Sequence, residues 1–120
     1  MSYKPTGRPV GRPRIFYADG VPASVAKLVS AFCADLPRRE SVISSKDTDE
    51  RVLRVYRHLD EAIFNSLTDV EESLRGAFLS DIAENRGYGQ SLASKVLSYK
   101  AYYNRKRQVI YNIARYLDLV

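Results

Sequence analysis

Cysteine and histidine are almost missing from this chain: Cys33 and His58 are the sole examples in 120 residues. One thiol and one imidazole cannot assemble a zinc site, and one thiol cannot build a disulfide framework. No apolar run approaches the length of a membrane span, and no charged-then-apolar start resembles a secretory leader. The six glycines form no phosphate-cradling loop followed by Lys-Ser or Lys-Thr, so nucleotide hydrolysis is unsupported. The acids Asp60, Glu61, Glu71 and Glu72 are expected on exposed helix faces, solvated or paired one turn apart, and not as a catalytic dyad. Cys33 falls inside an apolar pattern and reads as a small buried hydrophobe. His58 sits one residue before an apolar stripe position. These absences point away from an enzyme, a cofactor, a metal or a membrane, and toward one cytoplasmic domain.

What the chain does have is positive charge at both ends. The formal net charge is +5. Residues 1–14 carry Lys4, Arg8, Arg12 and Arg14 with no acid. Residues 98–120 carry five basic residues against Asp118, whereas the stretch between has ten basic and thirteen acidic residues. Two basic ends around a mildly acidic body suit a polyanion gripped at two places. Neither end has the broad Leu/Phe/Trp face with which interfacial helices enter a membrane.

Residues 1–20 hold three of the five prolines and three of the six glycines, and are expected to be an extended, unpacked basic arm. Beyond them the spacing predicts helices. Val25, Leu28, Val29, Phe32 and Leu36 mark a first one, stopped by Pro37. A short turn of helix follows around Val42 and Ile43. Asp47 with Glu50 resembles a capping box before a stripe of Val52, Leu53, Tyr56, Leu59, Ile63 and Leu67. Thr68 with Glu71 gives the same signal for a helix over about 69–85, and Asn85-Arg86-Gly87 gives its stop. A short helix over about 90–97 precedes Ser98, the N-cap of a long terminal helix. The expectation is all-α: about five helices over residues 21–120, ending in a helix-turn-helix at about 69–117.

The terminal helix has two faces. Tyr99, Tyr102, Tyr103, Ile110, Ile113 and Leu117 recur at three- and four-residue steps and favour the core, although the three tyrosines could also stack on bases. The opposite stripe carries Lys100, Asn104, Arg107, Gln108, Tyr111 and Arg115, flanked by Arg105 and Lys106. A solvated basic helix would look the same in isolation. Following a supporting helix, a short helix and a capped turn, it suits a recognition helix in a DNA major groove. Lys100, Asn104, Arg107, Gln108 and Tyr111 would then project into the groove, with Arg105, Lys106 and Arg115 chiefly on phosphate.

The run from Gly87-Tyr88 through Leu97-Ser98-Tyr-Lys-Ala-Tyr-Tyr-Asn-Arg-Lys-Arg-Gln to Ile113-Ala-Arg-Tyr-Leu117 is similar to the end of RinA/ArpU-like phage transcriptional regulators. Ala31-Phe-Cys-Ala-Asp-Leu-Pro37 also resembles that family's first helix. The resemblance implies a regulator of late phage genes that binds promoter double-stranded DNA, with RNA polymerase a possible partner and Ser98, Lys100, Asn104, Arg105 and Arg107 facing DNA. Thr6-Gly-Arg-Pro9 and Val10-Gly-Arg-Pro13-Arg14 resemble an AT-hook. In that motif glycine lets the backbone approach the minor-groove floor and arginines seek its negative potential, which would employ Arg8, Arg12 and Arg14. A phosphate-gripping tail is the plainer alternative for the arm. For the whole chain, the alternatives are a terminase small subunit recognising DNA for packaging, and a helical protein-interaction module in which the two central helices form a docking hairpin. The packaging protein would form a ring; in the other readings homo-oligomerisation stays open.

Overall fold

The computed structural model describes residues 20–120, and among them the fold is all-α, with five α-helices and no strand. They are α1 (Ala23–Ala34), α2 (Leu36–Ile43), α3 (Glu50–Ser66), α4 (Arg75–Glu84) and α5 (Tyr99–Tyr116). Short 3-10 turns occupy Glu72–Leu74, Tyr88–Gln90 and Leu92–Lys95. No described helix is long and apolar enough to cross a membrane.

Pro37 acts differently from the expectation. It lies in the first turn of α2, where its missing N–H is one that would have no helical partner anyway. The break comes two residues earlier at Asp35, which ends α1 and starts α2. Its carboxylate takes a two-pronged bond from Arg38, at 2.8 and 2.7 Å. The cap of α3 is also shifted: Asp49, not Asp47, accepts from the Arg51 amide at 2.7 Å.

The helix expected over 69–85 begins only at Arg75. Thr68 does not cap it; its hydroxyl donates backward to the Asn65 carbonyl at 2.7 Å. Arg75 then donates to the carbonyls of Val70 and Thr68, tying 68–70 into a turn. The stop is as expected in place, with Asn85 in the left-handed region (φ 56°). The expected helix over 90–97 is replaced by the two 3-10 turns. Ser91 stays extended (ψ 142°) and caps the second turn by accepting from the Ala93 amide at 3.1 Å, so no continuous run of helical backbone forms.

The core gathers Val29 from α1, Ile63 from α3, Phe78 and Ile82 from α4, and Tyr102, Val109, Ile110, Ile113 and Ala114 from α5. Cys33 is buried, as expected, and that burial pushes its thiol up to about 12. Leu28, expected in the stripe of α1, is instead 46% exposed. The central helices are not packed chiefly on each other as a hairpin would be: α4 packs chiefly on α1, where Ser30 donates to the Ile82 carbonyl at 2.6 Å, and α3 packs on α5.

Among the described residues two charged side chains lie inside. Arg39 is 1% exposed and donates from Nε to Asp60 at 2.8 Å, which removes Asp60 from the solvated face expected of it. Asp81 is equally buried, between the Tyr102 hydroxyl and the Arg86 guanidinium.

Candidate nucleic-acid interface

Helix α5 is held along one side and open along the other. Its start is set by Ser98, whose Oγ accepts from the Ala101 amide at 3.2 Å, the expected cap. Tyr88 fixes the approach to that start. Its hydroxyl donates to the Leu97 carbonyl at 2.7 Å, and its backbone N–H donates to the Tyr103 hydroxyl at 3.1 Å. Gly87 lies so close to this contact that an added Cβ would stand 3.0 Å from the Tyr103 oxygen. Tyr102 is fully buried and stacks on Phe78, with ring centres 5.2 Å apart. Tyr103 is half-buried. Tyr99, expected in the core, is 65% exposed because it occupies the first turn, where the core has not yet closed over the helix.

On the other side, Lys100, Asn104, Gln108 and Arg115 are exposed, and Arg107 and Tyr111 are half-buried beside them. Their spacing keeps all six on one face of an 18-residue helix. Arg107 donates to the side-chain Oδ1 of Asn104 and Gln108 to Oδ1 of Asn112, each at 2.9 Å. The amide nitrogens of Asn104 and Asn112 and the Gln108 carbonyl are left without a side-chain partner among the described residues. This face therefore presents donors, acceptors and cations on a backbone anchored by its opposite side.

Two flanking residues are engaged elsewhere. Arg105 forms a two-pronged pair with Glu71, both bonds at 2.9 Å. That guanidinium, followed by a backbone hydrogen bond, holds the Glu71 carboxyl down at about 2 and raises Arg105 in turn. Lys106 turns inward: its ammonium donates to the Arg86 carbonyl at 2.6 Å and lies 6.0 Å from the Tyr102 and Tyr103 ring centres. Desolvation there lowers its pKa. The structure thus keeps Lys100, Asn104, Arg107, Gln108, Tyr111 and Arg115 on one face, with Tyr111 also packed against the core, turns Lys106 inward, and commits Arg105 to Glu71 beside the cleft that Asn104 and Gln108 line. Arg8, Arg12 and Arg14 lie outside the described residues.

Sequence reasoning misses two residues at this surface. Asn112 continues the four-residue step of Asn104 and Gln108 and is detectable from that spacing. Asp69 comes from the turn after α3, and nothing in its local sequence signals its approach to α5; both line one cleft with Asn104 and Gln108. Among the described residues no cluster of three or more His, Cys, Asp or Glu is placed to hold a metal ion.

No family model, curated protein or solved structure matches the chain.

Proposed function

We propose that this chain is a sequence-specific DNA-binding protein, a phage-type regulator of transcription, that lays α5 in the major groove. The observation that carries the reading is the face of Lys100, Asn104, Arg107, Gln108 and Tyr111. It combines cations with amides capable of two-point contact to base edges, on a helix whose other side is core. Asn104 and Gln108 suit adenine, and Arg107 suits guanine. Lys100 and Arg115 supply phosphate attraction at either end of the stripe. The basic arm adds a second grip through Arg8, Arg12 and Arg14. The similarity of residues 87–117 to phage regulators supports the choice of regulator over packaging protein.

Selection of bound duplexes from a random pool tests this reading directly. The wild-type chain enriches a defined site; the Asn104→Ala/Arg107→Ala variant keeps its helicity by circular dichroism and enriches none. Removing residues 1–14 flattens the dependence of log affinity on log salt by up to about 0.9 for each phosphate that the arm neutralises. Wild-type binding without enrichment of any sequence overturns the reading. Ring-sized particles in light scattering would favour packaging.

A further inference from the structure

The cleft between the end of α3 and the outer flank of α5 has a volume of about 250 Å³. Its apolar walls come from Val70 and Val109, both buried. Its polar lining is Asn104, Gln108 and Asn112, on successive turns of α5, together with Ser66 and Asp69. Asp69 is exposed, and its carboxylate takes no hydrogen bond or ion pair from the described residues. Arg105 lines the same cleft, but Glu71 occupies its guanidinium. A carboxylate to which none of the described residues brings a cation therefore stands beside the face that carries the amides.

Such a group is badly placed for phosphate, which it repels. An ionised carboxylate can only accept hydrogen bonds. Along the major-groove edge the amino donors are N4 of cytosine and N6 of adenine, whereas guanine and thymine present keto oxygens. Gln108 adds an acceptor at the same cleft: one hydrogen of its Nε2 goes to Asn112, and its carbonyl oxygen is free. Two acceptors then border one cleft.

We propose that Asp69 is a specificity residue of the DNA-reading surface: it accepts a hydrogen bond from the exocyclic amine of an adenine or cytosine and rejects keto-bearing bases at that position. The proposal rests on α5 being the reading helix. Asp69 acts from a separate element, so the site is read from two walls and not from one helix.

The test runs the full chain, Asp69→Asn and Asp69→Ala through selection from a random duplex pool, followed by anisotropy titrations on the selected duplex and its single-base variants. The wild-type pool is expected to contain one position restricted to adenine or cytosine, and the pool itself reports which. Both variants keep their helicity and the rest of the site, but lose that restriction by about five- to 150-fold, the range of one good base contact. Asp69→Asn also admits guanine or thymine there, because its amide can donate to a keto oxygen. A wild-type site whose every preference survives in both variants overturns the role of Asp69 and leaves α5 as the reading helix. No enriched site for the wild type overturns both.

Discussion

The hydroxyl of Tyr102 donates a 2.9 Å hydrogen bond to Oδ2 of Asp81, and both residues are almost wholly buried. This bond joins α5 to α4 through the centre of the fold. Burial, and then the neighbouring carboxylate, raises the Tyr102 pKa, so the phenol stays a donor throughout the neutral range. Asp81 otherwise has the Arg86 guanidinium at 3.8 Å, beyond hydrogen-bonding distance. Tyr102→Phe should cost about 1–3 kcal/mol, because it leaves a buried acceptor short of a partner. Urea unfolding should show a lower midpoint with an unchanged slope; a wild-type midpoint would disprove the claim.

Arg39 and Asp60 should respond unequally to truncation. Asp60→Ala strands a buried guanidinium whose Nη1 and Nη2 already lack hydrogen-bond partners, with Asp35 3.7 Å from Nη1. The expected loss is about 3–5 kcal/mol. Arg39→Met leaves the Asp60 carboxylate unpaired, but that side chain keeps 14% of its surface exposed and can be hydrated, so the loss should be smaller. Thermal denaturation of the two variants decides the matter: equal losses would mean that the ion pair itself, and not the stranded charge, sets the energetics.

The Glu71–Arg105 pair predicts a pH window. Arg105 holds the Glu71 carboxyl below its ordinary 4.5, at about 2. A depressed carboxyl contributes its stabilisation above 4.5 and loses it as pH falls from there through about 2. The pair is exposed, so salt should weaken it. Carboxyl-carbon NMR should show Glu71 titrating well below the ordinary 4.5, and returning toward it in Arg105→Gln. A wild-type Glu71 that titrates near 4.5 would refute the pairing.

Tyr88 should control the order of the segment leading into α5. Tyr88→Phe removes the bonds to the Leu97 carbonyl at 2.7 Å and the Ser94 carbonyl at 3.3 Å. The expected cost is about 1 kcal/mol, with helicity retained. Amide exchange should accelerate across residues 92–101 and stay unchanged in α3. Uniform acceleration would show that Tyr88 supports global stability and not this segment.

The fold class and the two sides of α5 are legible in the sequence because apolar spacing over an 18-residue helix is a repeated signal. Short elements are not. Gln90 to Leu97 carries a few apolar residues but too little length to choose between one α-helix and two 3-10 turns, and the extended Ser91 settles it. Thr68-x-x-Glu71 has the letters of a capping box, yet both side chains are taken elsewhere: Thr68 bonds locally, three residues back, and Glu71 reaches Arg105 from another element. Arg39, Asp60 and Asp81 illustrate the same limit. A charge is read as solvated until a partner from another element accounts for its burial, and that partner is distant in sequence. Lys106 reads as a surface residue because its ammonium is polar, but its destination is the Arg86 carbonyl on a different turn.

That α5 carries both core and open face on one backbone has a consequence for how such a protein can change over generations. Inward positions such as Ile110 and Ile113 answer to packing, and outward ones such as Asn104 and Gln108 to whatever lies against them. Substitutions at the two sets are separated by helical phase, so they should be nearly additive in their effects on stability. A lineage could exchange its outward residues many times while the scaffold stays fixed, acquiring new targets without first having to regain stability.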